Sequence, residues 1–185
     1  MSTTLGLSDV KRNLLEQYLN RKNVRESIRR RRSVESAPLS FAQEQVWLHT
    51  QMAGDVPLYN ETITVHRHGP LHIDVLERCL CEIIRRHEIW RTTFDVDNSK
   101  PVQIVHPAPG DYRLPFQDLS NVPATERDTE LKRLAGEEVR RPFDLKVGPL
   151  LRALLVRTNE EAYSLFVTFH QIVFDAVSAY QVFLP

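Results

Sequence analysis

Two cysteines, six glycines, two methionines and two tryptophans are all that 185 residues contain. Cys79 and Cys81 stand two apart, where side chains diverge on a helix, so no disulfide framework is expected and a reducing, cytoplasmic setting follows. A chain of this length buries roughly 70% of the surface its unfolded form exposes, so the core needs no covalent or metal staple. No apolar run approaches the ~18 residues of a membrane span. The start, MSTTLGLSDVKRN, lacks the apolar stretch of a secretion signal. Gly110, Gly136 and Gly148 stand alone, so neither a P-loop nor a dinucleotide-binding glycine pattern exists. Net charge is absent too: 24 basic residues meet 24 acidic ones, which disfavours a globally basic nucleic-acid binder.

The charge that is there is unevenly spread. Residues 1–36 hold nine Lys and Arg, including the run Arg29 to Arg32, against four acids. Leu7, Val10, Leu14 and Tyr18 recur at helical spacing, predicting an amphipathic helix within residues 1–20. Its apolar stripe must be buried on the body of its own domain or on another chain, which makes it a candidate docking element. Residues 21–36 read as a basic, solvated linker without the interleaved aromatics of a nucleic-acid surface.

From residue 37 to 185 the pattern is that of a folded α/β body. Ser40 and Gln43 have capping-box spacing and predict a helix through Trp47 to about Met52. Tyr59–Arg67 alternates as a strand. Asp74 and Glu77 suggest a second N-cap, followed by a helix with Ile73, Leu76, Leu80, Ile83, Ile84 and His87 on one face. Strand-like runs follow at Trp90–Val96, Val102–Val105 and Leu114–Leu119. Pro123–Arg140 has helical period with Leu131, Leu134 and Val139 as its apolar side, and Pro142 closes it. Leu150–Val156 and Tyr163–Phe169 read as two strands, the first apolar enough for a sheet interior.

Four segments carry a family resemblance. PLSFAQEQVWL (Pro38–Leu48) resembles the opening motif of the condensation domains of nonribosomal peptide synthetases. RRHEIWRTTF (Arg85–Phe94) is similar to their RHExLRTxF motif, with Trp90 in the usual Leu position. RPFDLKVGPLLRALL (Arg141–Leu155) resembles the stretch leading into their central strand, and FHQIVFDA (Phe169–Ala176) stands where their HHxxxDG motif stands. The resemblance implies a chloramphenicol-acetyltransferase-like lobe, a mixed sheet flanked by helices, forming the N-terminal half of a two-lobed domain. It further implies amide-bond formation between an acyl or peptidyl thioester and an aminoacyl amine. Both substrates would ride on 4′-phosphopantetheine of carrier proteins, and no cofactor would be bound directly. Carrier proteins, adjacent modules and the second lobe are the implied partners, with neither nucleic acid nor membrane among them.

The motif is altered at its centre. His170 matches the first histidine, but Gln171 stands at the second, which the family uses to meet both reactants. A carboxamide has no nitrogen that titrates near neutral pH and so cannot be a general base. That loss alone typically costs about 10²–10⁴-fold. Ala176 replaces a glycine and adds a Cβ where pantetheine would approach. Asp175 is implied to be a structural ion-pair former whose arginine partner is not identifiable here. The candidate site is thus Gln171, His170 and Asp175, with Ala176 and Ser178 at its substrate edge. Arg86, His87, Arg91, Ser40, Gln43 and Trp47 are its expected structural support. A non-catalytic module that keeps the fold to dock carrier proteins or neighbouring synthetase polypeptides is the alternative. His66 and His68 share a strand face but are too few for a structural zinc site, and no metal is expected.

Overall fold

A computed structural model describes residues 36–178 of the chain. The expected N-terminal helix, and the expected linker up to its last residue, lie outside the described residues. The elements are β1 (Ala37–Pro38), α1 (Phe41–Ala53), β2 (Asn60–His68), α2 (Ile73–Arg86), a 3₁₀ turn (Glu88–Arg91), β3 (Thr92–Asp97), β4 (Lys100–Val105), β5 (Phe116–Asp118), α3 (Ala124–Arg140), β6 (Leu151–Asn159), β7 (Ala162–His170), a second 3₁₀ turn (Gln171–Val173) and α4 (Ala176–Ser178). Among the described residues, no helix is long and apolar enough to cross a membrane.

Two sheets form. The larger has the order β2-β7-β6-β5, antiparallel except for the parallel β5–β6 pair; the smaller has the order β1-β4-β3. The near-continuous apolar run of β6 reflects its interior position, covered on both faces. On one face Phe169, Val167, Leu155 and Leu151 pack with Leu80 and Ile84 of α2 and with Trp90. On the other, Leu154, Val156 and Phe166 meet Leu119 and Leu134. The β3–β4 hairpin turns at Asn98 and Ser99, both with positive φ, inside the register Asp97↔Lys100. That is the conformation a two-residue turn needs to match strand twist.

Several sequence expectations shift. Helix α2 starts at Ile73, with His72 at the cap position making no side-chain cap bond. Asp74 and Glu77 therefore do not cap it. Glu77 instead accepts the Leu114 backbone N–H at 2.9 Å, tying the helix to the loop before β5. The run Trp90–Val96 begins as a 3₁₀ turn because Trp90, only 2% exposed, is driven inward. The Leu114–Leu119 run pairs only over Phe116–Asp118, with buried Leu114 and Leu119 as its anchors. Val139 is 40% exposed and lies off the apolar side of α3.

Trp90 fixes the strand that ends at the candidate site. Its ring lies 5.1 Å from Phe169 and 5.9 Å from Phe174, which are themselves stacked at 4.1 Å. Trp90→Ala is expected to lower unfolding free energy by about 3–5 kcal/mol, the usual cost of emptying so large a core position. Trp90→Leu should cost clearly less. Urea titrations of the two variants against the unaltered chain give both values.

Candidate functional site

The site is assembled where β7 ends against the first turn of α1. Ser40 caps α1: its Oγ accepts the Gln43 N–H at 3.3 Å, while Gln43 Oε1 accepts the Ser40 N–H at 3.0 Å. The other end of the same carboxamide donates to the Ile172 carbonyl at 3.3 Å, so the cap also holds the 3₁₀ turn. A cleft of about 400 Å³ opens between the two elements, lined by Ser40, Gln43, Val46, Ile89, Gln171 and Asp175 among others. Trp47 is half-buried and packs into the core behind α1.

His170 and Gln171 part company at the strand end. The imidazole of His170 is 3% exposed. Its Nδ1 accepts the Ile172 N–H at 3.2 Å, and its Nε2 lies 3.5 Å from Thr50 Oγ1. Burial pushes its pKa down to about 4, so at neutral pH the ring is uncharged. Gln171 is exposed and is one of the residues lining the cleft. Its backbone N–H donates to the Tyr59 carbonyl at 2.9 Å, continuing the β2–β7 register one step past Asn60↔His170.

A row of rings crosses this strand end. Phe143 meets His170 edge-on at 6.2 Å, His170 lies 6.0 Å from Tyr59, and Tyr59 stacks within 9° on His49 at 6.3 Å. Behind Phe143, the Arg152 guanidinium sits 3.7 Å from the ring centre. Arg152 also donates to the carbonyls of Glu138, Arg141 and Pro142, at 3.0, 2.6 and 3.3 Å. Asn60 Nδ2 donates to those of Val139 and Arg141, at 2.7 and 2.8 Å. The last turn of α3, whose carbonyls have no partners within the helix, is thereby clamped to β2 and β6.

The expected residues are only partly brought together. His170, Gln171, Asp175 and Ser178 lie along one segment, Gln171, Asp175 and Ser178 at the cleft. Asp175 Oδ1 accepts both the N–H and the hydroxyl of Ser178, at 2.8 and 2.7 Å, and these bonds hold its carboxyl below the ordinary aspartate pKa. Among the described residues no cation lies within ion-pair distance of it. Ala176 is the first residue of α4. Arg86 is on the surface with Glu82, and Arg85 and Arg86 together hold that carboxyl down at about 2. His87 ends α2 and is exposed. Arg91 bonds the His106 carbonyl and lies 3.6 Å from Glu88. Between Ile89 and Arg91, Trp90 packs on Phe169 of the strand that carries the site. His66 Nδ1 stands 2.9 Å from Ser164 Oγ. Among the described residues no cluster of three metal-ligating side chains forms. Sequence reading passed over Asn60, Tyr59, Phe143 and Arg152. The one visible signal was Arg152, a charge interrupting an apolar strand.

Comparison with known proteins gives a consistent result. The family described as Condensation domain matches residues 33–183. Chondramide synthase cmdD of Chondromyces crocatus is 40% identical over 141 residues, 76% of this chain and 4% of that one. Phosphinothricin tripeptide synthetase PhsC of Streptomyces viridochromogenes is 38% identical over 144 residues, 76% of this chain and 13% of that one. The starter condensation domain of rhizomide synthetase RzmA superposes with a TM-score of 0.72 at 22% identity, covering 80% of this chain and 36% of that one. The first condensation domain of the CDA synthetase gives 0.67 at 23% identity, over 75% and 36%. The chain thus spans a small part of these synthetases and about a third of the neighbouring structures.

The buried imidazole makes stability depend on pH. A histidine whose folded pKa is depressed binds a proton more readily when unfolded, so its contribution is whole above about 6.5 and is lost as pH falls toward about 4. The span corresponds to roughly 3 kcal/mol. His170→Asn should flatten the stability profile between those values, as read by urea midpoints at a series of pH values.

Proposed function

The chain belongs to the condensation-domain family, and from that membership we propose that it supplies the N-terminal half of a domain forming amide bonds between carrier-bound substrates. An acyl or peptidyl thioester and an aminoacyl amine, each on 4′-phosphopantetheine of a carrier protein, would meet at the cleft beside Gln171, with a second lobe as the facing wall. The observation that carries this reading is the split at the strand end, with His170 buried and neutral and Gln171 exposed at the rim of the cleft. That is where the family's reacting histidine is expected.

The chemistry asked of the site is modest. A thioester is already activated, so holding the two reactants in line supplies a large part of the rate. The carboxamide N–H of Gln171 can donate to the thioester oxygen as negative charge develops there. What it cannot do is accept the amine proton as an imidazole does.

That deficit favours a second reading, a module that retains the fold to dock carrier proteins or neighbouring synthetase polypeptides without turning over. The complete polypeptide carrying this chain, given acyl-carrier and aminoacyl-carrier thioesters, separates the two. Amide product that falls about 10²-fold or more with Gln171→Ala supports catalysis, since a donor aimed at developing charge is typically worth that much. Absence of product, with recovery on Gln171→His, supports a docking module with a decayed site.

A further inference from the structure

Trp90 borders a second cavity, of about 260 Å³, that shares no lining residue with the cleft. Its walls come from the end of α2, the 3₁₀ turn and start of β3, the loop after β4 and the loop before β6. Buried Ile84 and Trp90, with Pro107 and Pro149, give it an apolar lining. Arg91, Thr93 and His106 bring polar groups to it, and no aspartate or glutamate lines it. An apolar cavity with a few placed polar groups is the usual form of a small-molecule site.

The charge on that wall is under-satisfied. The Arg91 side chain is only 16% exposed, and its guanidinium carries five N–H donors. One donates to the His106 carbonyl. The carboxylate of Glu88, which does not line the cavity, stands 3.6 Å from Nη2, beyond hydrogen-bond distance. Nε is buried and has no hydrogen-bond partner among the described residues. A cation so far removed from water and so sparsely bonded is costly, and a carboxylate is the group whose two oxygens match its fork. Beside it the His106 ring is held in place, with Nε2 2.7 Å from the hydroxyl of buried Thr93.

We propose that this cavity binds a small apolar monocarboxylate, its body against Trp90 and the prolines and its carboxylate against Arg91 and His106. Both halves of the ligand follow from the lining. Apolar walls select a hydrophobic body, and one cation without a lining acid selects a single negative charge over a neutral or cationic head. The volume limits the size, since drug-sized ligands occupy roughly 300–1,000 Å³ and this cavity lies just below that range. A single-ring or short-chain acid is what fits. The site is separate from the cleft, and its occupancy does not depend on what Gln171 does there.

Benzoate is the probe, and the two tryptophans of the chain are the reporters, since each gives one indole cross-peak in a proton–nitrogen NMR spectrum. Trp47→Phe identifies which is which. Benzoate should move the Trp90 peak saturably, with a midpoint of about 1–10 mM, the affinity open to so small a ligand, and leave the Trp47 peak in place. Benzyl alcohol and benzylamine should bind about tenfold more weakly or worse. Val147 lines the cavity at 73% exposure, so its charge can be changed without disturbing the core. Val147→Glu should weaken benzoate about fivefold or more, and Val147→Lys should not weaken it. No saturable shift of the Trp90 peak overturns the proposal. So does benzyl alcohol binding as well as benzoate, or equal benzoate affinity in the two Val147 variants. Should Trp47→Phe fail to fold, the Val147 pair decides.

Discussion

Burying His170 as an uncharged imidazole is the constraint around which this fold is arranged. A ring placed at 3% exposure has to be neutral and hydrogen-bonded, and both conditions are met locally, by desolvation and by the Ile172 N–H. The bond from residue 172 back to residue 170 stops β7 and starts a 3₁₀ turn. Ending the strand there leaves the next residue, Gln171, exposed at the cleft. One buried polar contact thus sets both the limit of the sheet and the point where the chain comes out at the cleft.

That contact depends on supports reaching in from elsewhere in the chain. From one side the end of α3 is clamped by Asn60 and Arg152, which brings Phe143 edge-on to the imidazole. From the other, α1 delivers Thr50 and, through Gln43, holds the carbonyl of Ile172. Beneath, Trp90 packs on Phe169. Arg152 is itself largely buried, and burial lowers its pKa, yet it keeps three carbonyl acceptors and the face of Phe143. A guanidinium suits that place, since its planar fork bonds several acceptors while stacking on a ring.

Local signals in the sequence were readable because they act over a few residues. The Ser40 and Gln43 cap, the stop at Pro142, and the apolar runs of β6 and β7 all follow from spacing alone, and each appears in the structure. The family motifs added the lobe and the identity of the turn at Gln171. What spacing could not convey was pairing between distant residues. Asn60 meets Arg141 eighty-one positions away, and Gln43 meets Ile172 at a separation of 129. Asp74 and Glu77 had the right spacing for a cap, but Glu77 found the Leu114 backbone instead, and a long-range hydrogen bond outweighed a local rule. Tyr59 read only as the start of a strand.

The two faces of the larger sheet are unequally provided for. Toward α1 and α2 the apolar core is broad, whereas toward α3 the buried apolar cluster among the described residues is Leu119, Leu134, Leu154, Val156 and Phe166. Loosening of the thin side would release the end of α3 from Asn60 and Arg152 and let solvent reach His170 from behind, with the cleft wall at Gln43 still in place. Local opening of this kind makes amide hydrogens exchange unevenly. The backbone of α3 should lose its protons to deuterium well before that of β7, and the lobe is accordingly one whose back can breathe while its cleft side stays shut.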